Sequence, residues 1–133
     1  MNGYLMDTNH LSACLDRRAP LEQKIDDALK AGDRVGLCLP VPCEYRAGIR
    51  LGRRYQRNLS RLYAALGILR LWPVDEETAA EFAELFRELH SVGRVMSQFD
   101  LLIAAIARQR GLIVLTADQD FRPVNRLQFE NWL

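Results

Sequence analysis

The sequence predicts an α/β domain with a mainly parallel central sheet and helices on both faces. Three observations carry that reading. Short apolar runs at residues 4–6, 35–39, 68–72 and 112–115 recur between segments whose apolar residues fall at helical spacing, the alternation expected of strands joined by helical crossovers. Within these runs apolar residues follow one another, most continuously at 112–115, as in strands covered on both faces. Acidic residues then stand just beyond several of them, at Asp7, Glu44 and Asp118, where open α/β sheets place their ligands.

Taken in order, residues 4–6 form the first strand and a helix follows over 8–17 with Leu11, Ala13, Cys14 and Leu15. Pro20 suits a first helical position, and Leu21, Ile25, Ala28 and Leu29 keep helical spacing until Gly32. After the strand at 35–39, Pro40 and Pro42 end the extended run, and Glu44 opens a helix to Gly52. A further helix over 53–66 sets Leu59, Leu62, Tyr63 and Leu66 against arginines, before a strand at 68–72 closed by Pro73. Asp75, Glu76 and Glu77 make an acidic helix start, favourable at the positive end of the dipole, and Phe82, Leu85, Phe86 and Leu89 carry that helix to Gly93.

The stretch 97–121 organises the rest. Ser97 followed by Asp100 is a helix start of the capping-box kind. Every residue from Leu101 to Ala107 is apolar, so this helix is buried on most sides, and Gly111 stops it. The apolar run 112–115 follows, with Asp118 and Asp120 at its exit; residues 127–132 form a last, half-alternating strand.

With 133 residues, the chain is read as one domain, 1–133, able to bury a core without staples. Its 49% apolar and 26% charged residues are those of an ordinary globular protein. No apolar run approaches the roughly 20 residues needed to cross a bilayer, and the N-terminus lacks a signal-peptide pattern. Cys14, Cys38 and Cys43 have no CxxC spacing and sit among apolar residues. They read as buried free thiols in a reducing compartment, which points to the cytoplasm.

A net charge of +1 names no partner, but its distribution is uneven. Seven arginines and no acid fall between Tyr45 and Val74, whereas six acids and one base fall between Asp75 and Glu88. The chain therefore carries separate basic and acidic faces.

Because the helix of Asp100 returns antiparallel to the strand it feeds, Asp100 lies at the same edge as Asp7, Glu44 and Asp118. Each acid alone has a bland use: Asp7 and Asp100 as helix caps, Glu44 against a helix dipole, Asp118 and Asp120 as turn residues. Together they would repel one another, and no lysine lies nearby in sequence to neutralise them. A hard divalent cation would, and carboxylate oxygens suit Mg²⁺ or Mn²⁺. Other chemistries lack their residues. Asn9 stands where a haloacid-type phosphatase needs a second Asp, no lysine follows Lys30, and neither GKS/T nor GxGxxG occurs. His10 and His90 lack metal-ligand spacing and read as structural or exposed.

The segments LMDTN, PCEYRAG, FDLLIAAIA, LTADQDF and the terminal ENW, in that order over the whole chain, resemble PIN-domain ribonucleases of the VapC toxin type. The resemblance implies a PIN fold and Mg²⁺- or Mn²⁺-dependent RNA hydrolysis at Asp7, Glu44, Asp100 and Asp118. Asp120 matches a frequent extra acid near the metal, and Thr8, Asn9 and Thr116 match polar residues that line or order the pocket. It further implies a VapB-like antitoxin partner and a homodimer, for which the apolar faces of the 53–66 and 75–92 helices are candidates. Arg46, Arg50, Arg53, Arg54, Arg57 and Arg61 lie largely on one side of consecutive helices, so they can follow an RNA backbone or meet antitoxin carboxylates. The competing reading is a catalytically silent PIN-like module that binds RNA or protein. A complete acidic set argues against it.

Overall fold

A computed structural model describes residues 1–133. Five strands form one sheet: β1 (Gly3–Met6), β2 (Arg34–Cys38), β3 (Arg70–Trp72), β4 (Ile113–Leu115) and β5 (Gln128–Glu130). Their order is β3-β2-β1-β4-β5, and all four pairings are parallel. The sheet is thus wholly parallel, with the terminal strand joining in the same direction as the rest. Six helices connect it: α1 (Thr8–Leu15), α2 (Leu21–Lys30), α3 (Pro40–Arg50), α4 (Tyr55–Leu66), α5 (Glu76–Ser91) and α6 (Gln98–Arg110).

The connections run outward from β1 to β3, then jump back across the sheet to β4. Since parallel crossovers are right-handed, that reversal places α1–α4 on one face and α5–α6 on the other. It also makes the boundary between β1 and β4 the topological switch point, where the carboxyl ends of an open sheet leave a crevice. Register fixes that boundary, with Tyr4, Leu5 and Met6 facing Ile113, Val114 and Leu115. Leu5, Met6, Leu37, Val114 and Leu115 of the strands are fully buried, and Leu11, Leu62, Leu85, Ile103 and Ile106 of the helices join them in one core. The β2–β3 pairing depends on Gly36, where a Cβ would sit 2.3 Å from the Arg70 carbonyl.

Several boundaries differ from the sequence expectation. Pro40 and Pro42 do not precede the third helix; they form its first turn. A proline there gives up only an N–H that has no intrahelical partner, so Glu44 lies a turn inside the helix. The fourth helix starts at Tyr55, and β3 starts at Arg70. A short 3-10 turn over Gln119–Phe121, unexpected from sequence, follows β4. Of the three free cysteines only Cys38 is buried; Cys14 is half-buried and Cys43 exposed. The α4 and α5 faces offered for a dimer are partly core, since Leu62, Leu85 and Leu89 are buried, whereas Tyr63 and Phe86 are 54% and 58% exposed. No helix is long and apolar enough to cross a membrane.

A candidate carboxylate metal centre

At the carboxyl edge of the sheet, each acid is held by the element that delivers it. Asp7 ends β1, its N–H donating to the Leu115 carbonyl at 3.0 Å, and caps α1 by accepting from the His10 N–H at 2.8 Å. That double tie puts it beside the exit of β4. Across that exit, Asp118 caps the 3-10 turn by accepting from the Asp120 N–H at 2.9 Å, while its own N–H donates to Thr116 Oγ1 at 3.0 Å. Thr116 is buried and so orders the turn carrying both aspartates.

Asp100 reaches the same edge from the first turn of α6. Ser97 Oγ accepts from the Asp100 N–H at 3.2 Å, and Gly111, at φ 64°, ends the helix in the left-handed conformation that suits glycine. The reciprocal bond of a full capping box is not made, and the Asp100 carboxylate has no partner beyond a hydrogen bond from the Ser97 hydroxyl. From α3, Glu44 accepts at Oε1 from Thr8 Oγ1 at 3.1 Å, which ties α3 to α1 across the crevice.

One carboxylate oxygen each from Asp100, Asp118 and Asp120 lie within 4.8 Å of one another. Asp7 and Glu44 stand outside that spacing, but Glu44 is close enough for its charge to act on Asp100. Burial pushes the Asp100 carboxyl above its ordinary value, and the charges of Asp118, Glu44 and Asp120 push the same way against a hydrogen bond from Ser97. None of Glu44, Asp100, Asp118 or Asp120 takes part in an ion pair with lysine, arginine or histidine. Clustered carboxylate oxygens without an internal counter-ion suit a hard divalent cation that retains water ligands. The donor set therefore fits Mg²⁺ or Mn²⁺.

Of the polar residues singled out, Thr8 donates to Glu44 and Thr116 accepts from the Asp118 N–H. Asn9 is exposed and lines a separate small cavity with Ser12, Arg18 and Leu133. On α3 and α4, Arg46 lies over the Tyr63 ring at 5.7 Å and Arg50 over Tyr55 at 4.9 Å. Arg53, Arg54 and Arg57 are exposed, and none of these five arginines makes an ion pair. Arg61 differs, pairing with Asp16 at 3.6 Å.

Two features had little signal in the sequence. A cavity of about 610 Å³ lies between α1, α2 and α4, walled by Leu15, Ile25, Leu29, Ala65 and Ile68 and rimmed by Arg61; it arises only when three helices assemble. His10 is fully buried and its Nδ1 lies 3.1 Å from Asp7 Oδ1. Its position three residues after a capping aspartate was the available clue.

Comparison with known proteins identifies the family and the fold. Residues 4–127 match the PIN domain family. The chain is 30% identical, over 98% of both chains, to Ribonuclease VapC2 of Haemophilus influenzae (strain ATCC 51907 / DSM 11121 / KW20 / Rd). Its fold superposes with a TM-score of 0.91 on a structure of VapBC2 from Rickettsia felis bound to a promoter DNA fragment, at 22% identity over 98% of this chain and 99% of that one. A TM-score of 0.70 at 26% identity, over 98% of each chain, relates it to VapBC-5 of Mycobacterium tuberculosis, a member of the VapBC family of toxin–antitoxin systems. The chain belongs to the PIN-domain family, in its VapC-type branch.

Proposed function

We propose that this protein is a Mg²⁺- or Mn²⁺-dependent endoribonuclease of the cytoplasm, the toxin of a toxin–antitoxin pair. The observation that supports the reading is the close set of Asp100, Asp118 and Asp120 oxygens at the carboxyl edge of the sheet, with Asp7 and Glu44 at the same edge and no lysine or arginine paired with any of the five. An RNA phosphate is itself anionic, so these side chains alone would repel the substrate. They become useful to it only through a bound cation. The relatedness at 30% identity to a ribonuclease supports the substrate class.

Asp7, Glu44 and Asp100 would hold the ion as its principal ligands, with Asp118 completing the set and Asp120 adding negative charge beside it. When bound, the ion supplies charge relief on the phosphoryl oxygens and an activated water. Thr8 and Thr116 keep Glu44 and Asp118 from relaxing away from one another. Arg46, Arg50, Arg53, Arg54 and Arg57 guide the RNA backbone toward the crevice.

A VapB-like antitoxin is the proposed regulator, in keeping with the similarity to a VapBC toxin–antitoxin family member. The apolar cavity between α1, α2 and α4, with its charged rim, suits the apolar face of a partner helix. Tyr63 and Phe86, exposed on α4 and α5, are the residues left for contact with a second copy of the chain.

The test is induction of wild type and Asp7→Ala in a bacterial host, with cellular RNA mapped for new ends. Arrest with discrete cleavage by wild type alone is expected. Cleavage by the purified variant should fall more than about 100-fold, beyond what loss of an outer-shell partner costs a metal site. Arrest by both proteins, without cleavage, would instead favour the silent binding module.

A further inference from the structure

Asp7 has an asymmetric carboxylate. Oδ1 takes both bonds from His10, the backbone N–H at 2.8 Å and the ring Nδ1 at 3.1 Å. All of its hydrogen bonds within the protein fall on that one oxygen. The His10 ring is fully buried, and its far nitrogen, Nε2, accepts from the Trp132 N–H at 3.1 Å. A ring nitrogen that accepts carries no proton, so the imidazole is neutral and its single proton sits on Nδ1, pointed at Asp7. The Trp132 donor is itself fixed. Its ring packs on Tyr4 at 4.7 Å, and its Nε1 donates to Glu130 Oε2 at 2.8 Å. A chain of contacts thus runs from the C-terminal tail through one imidazole to the first acid of the sheet edge.

We propose that His10 is a positioning residue that occupies Asp7 Oδ1 and so commits Oδ2 to the metal. The proposal rests on the reading of Asp7 as a metal ligand. An unsupported aspartate can rotate about its terminal torsion and offer either oxygen. Here the Nδ1–H clamp forbids exchange, and the tail selects the tautomer that makes the clamp possible. The carboxylate–imidazole–backbone series is the arrangement by which outer groups orient metal ligands, applied through a histidine that does not itself touch the ion.

The experiment compares full-length wild type, His10→Ala, His10→Asn, His10→Gln and Asp7→Ala by Mn²⁺ titration, following free ion by electron paramagnetic resonance, with urea unfolding of each metal-free protein alongside. His10→Ala should bind Mn²⁺ at least about 10-fold more weakly. His10→Asn should recover most of that loss, because its amide nitrogen stands where Nδ1 stood. His10→Gln reaches the Nε2 position, keeps the partner of Trp132 and should recover stability more than affinity. A purely structural histidine would make affinity follow the unfolding midpoint instead; that result, or equal rescue by Gln and Asn, overturns the proposal. Loss of binding in Asp7→Ala with none in His10→Ala also overturns it, while unchanged binding in Asp7→Ala removes the cage reading itself.

A second measurement needs no variant at position 10. The chain has two histidines, and His90→Gln leaves the His10 ring as the single imidazole signal. Nitrogen NMR should show a protonated Nδ1 and bare Nε2, with Nδ1 shifting on addition of Mg²⁺. A protonated Nε2, or an Nδ1 signal indifferent to Mg²⁺, overturns the assignment.

Discussion

On α5, Glu81 and Glu88 close on Arg108, whose guanidinium reaches them at 2.7 and 2.6 Å with only 2% of the side chain exposed. Asp75, at the start of the same helix, accepts from the Thr78 N–H and Gln109 and pairs with Arg110 at 3.1 Å. At the carboxyl edge of the sheet the same residue types are treated the other way. Asp75 and Asp100 both lie at helix starts, yet the carboxylate of Asp75 meets Thr78, Gln109 and the Arg110 cation, whereas that of Asp100 has a hydrogen bond from Ser97 and no cation. The first group has its charge answered from within the chain, by residues that join α5 to α6. The second group is assembled at the cost of mutual repulsion. Answered charge fastens the fold; unanswered charge at a crevice calls for a ligand from outside.

The largest effect that distinguishes the two groups comes from removing the internal counter-ion. Arg108→Ala leaves the half-buried Glu81 with no cation and Glu88 with only the more distant Arg126, at 3.7 Å. Stranding half-buried acids in this way costs about 2 kcal/mol, less than the loss of a fully buried pair, and lowers the melting temperature by roughly 7 °C. Urea denaturation measures the first and calorimetry the second, while nuclease activity per folded molecule stays at the wild-type level. Little change in either would mean that the α5 acids are solvated enough to need no partner, and the contrast would lose its structural half.

Applied to cations, the same criterion separates Arg61, paired with Asp16, from Arg46 and Arg50, which lean on tyrosines and meet no acid. In an Asp7→Ala background, where RNA survives binding, Arg46→Gln/Arg50→Gln should bind a short single strand roughly tenfold more weakly at low salt. Two lost phosphate contacts also make the salt dependence shallower by about 1.4 in log–log slope. Fluorescence anisotropy across a salt series reads both. An unchanged slope would take these arginines out of the RNA path.

Much of this was legible in the residues because the fold and the site share one pattern. Apolar runs followed by acids mark both the strands and their functional ends, so Asp7, Asp100 and Asp118 could be placed from spacing alone. Glu44 was assigned to the right edge but the wrong turn, since prolines stop a strand and start a helix equally well. Arg61 looked like its arginine neighbours because an ion pair with Asp16, 45 positions away, leaves no local trace. Cys43 was expected inside on the strength of apolar neighbours, yet a helix face turns every 100° and carries it outward. The role of His10 depended on Trp132 returning beside β1, a contact that exists only after β5 has joined the sheet.

The finest discrimination between answered and unanswered acids lies in how stability changes with pH. The bond from Thr78, then that from Gln109, holds the Asp75 carboxyl below its ordinary value. Its contribution is therefore complete above the ordinary aspartate range and is lost as pH falls through the lowered folded value. Asp100 is shifted upward, first by burial and then by Asp118, Glu44 and Asp120. Between the ordinary value and the raised one, the folded state binds more protons than the unfolded state, so stability falls as pH rises; the penalty is absent below that window and full above it. Asp100→Asn should thus be more stable than wild type at neutral pH without metal, and the difference should vanish below the ordinary aspartate range. Saturating Mg²⁺ should reverse the order, since free ion at 100 times its dissociation constant stabilises a binding-competent fold by about 2.7 kcal/mol and the variant lacks one ligand. Thermal unfolding of both proteins across the acid range, with and without Mg²⁺, measures each arm. A gap independent of pH would show that asparagine packs better in α6, and that the acids at this edge repel one another too weakly to require a cation.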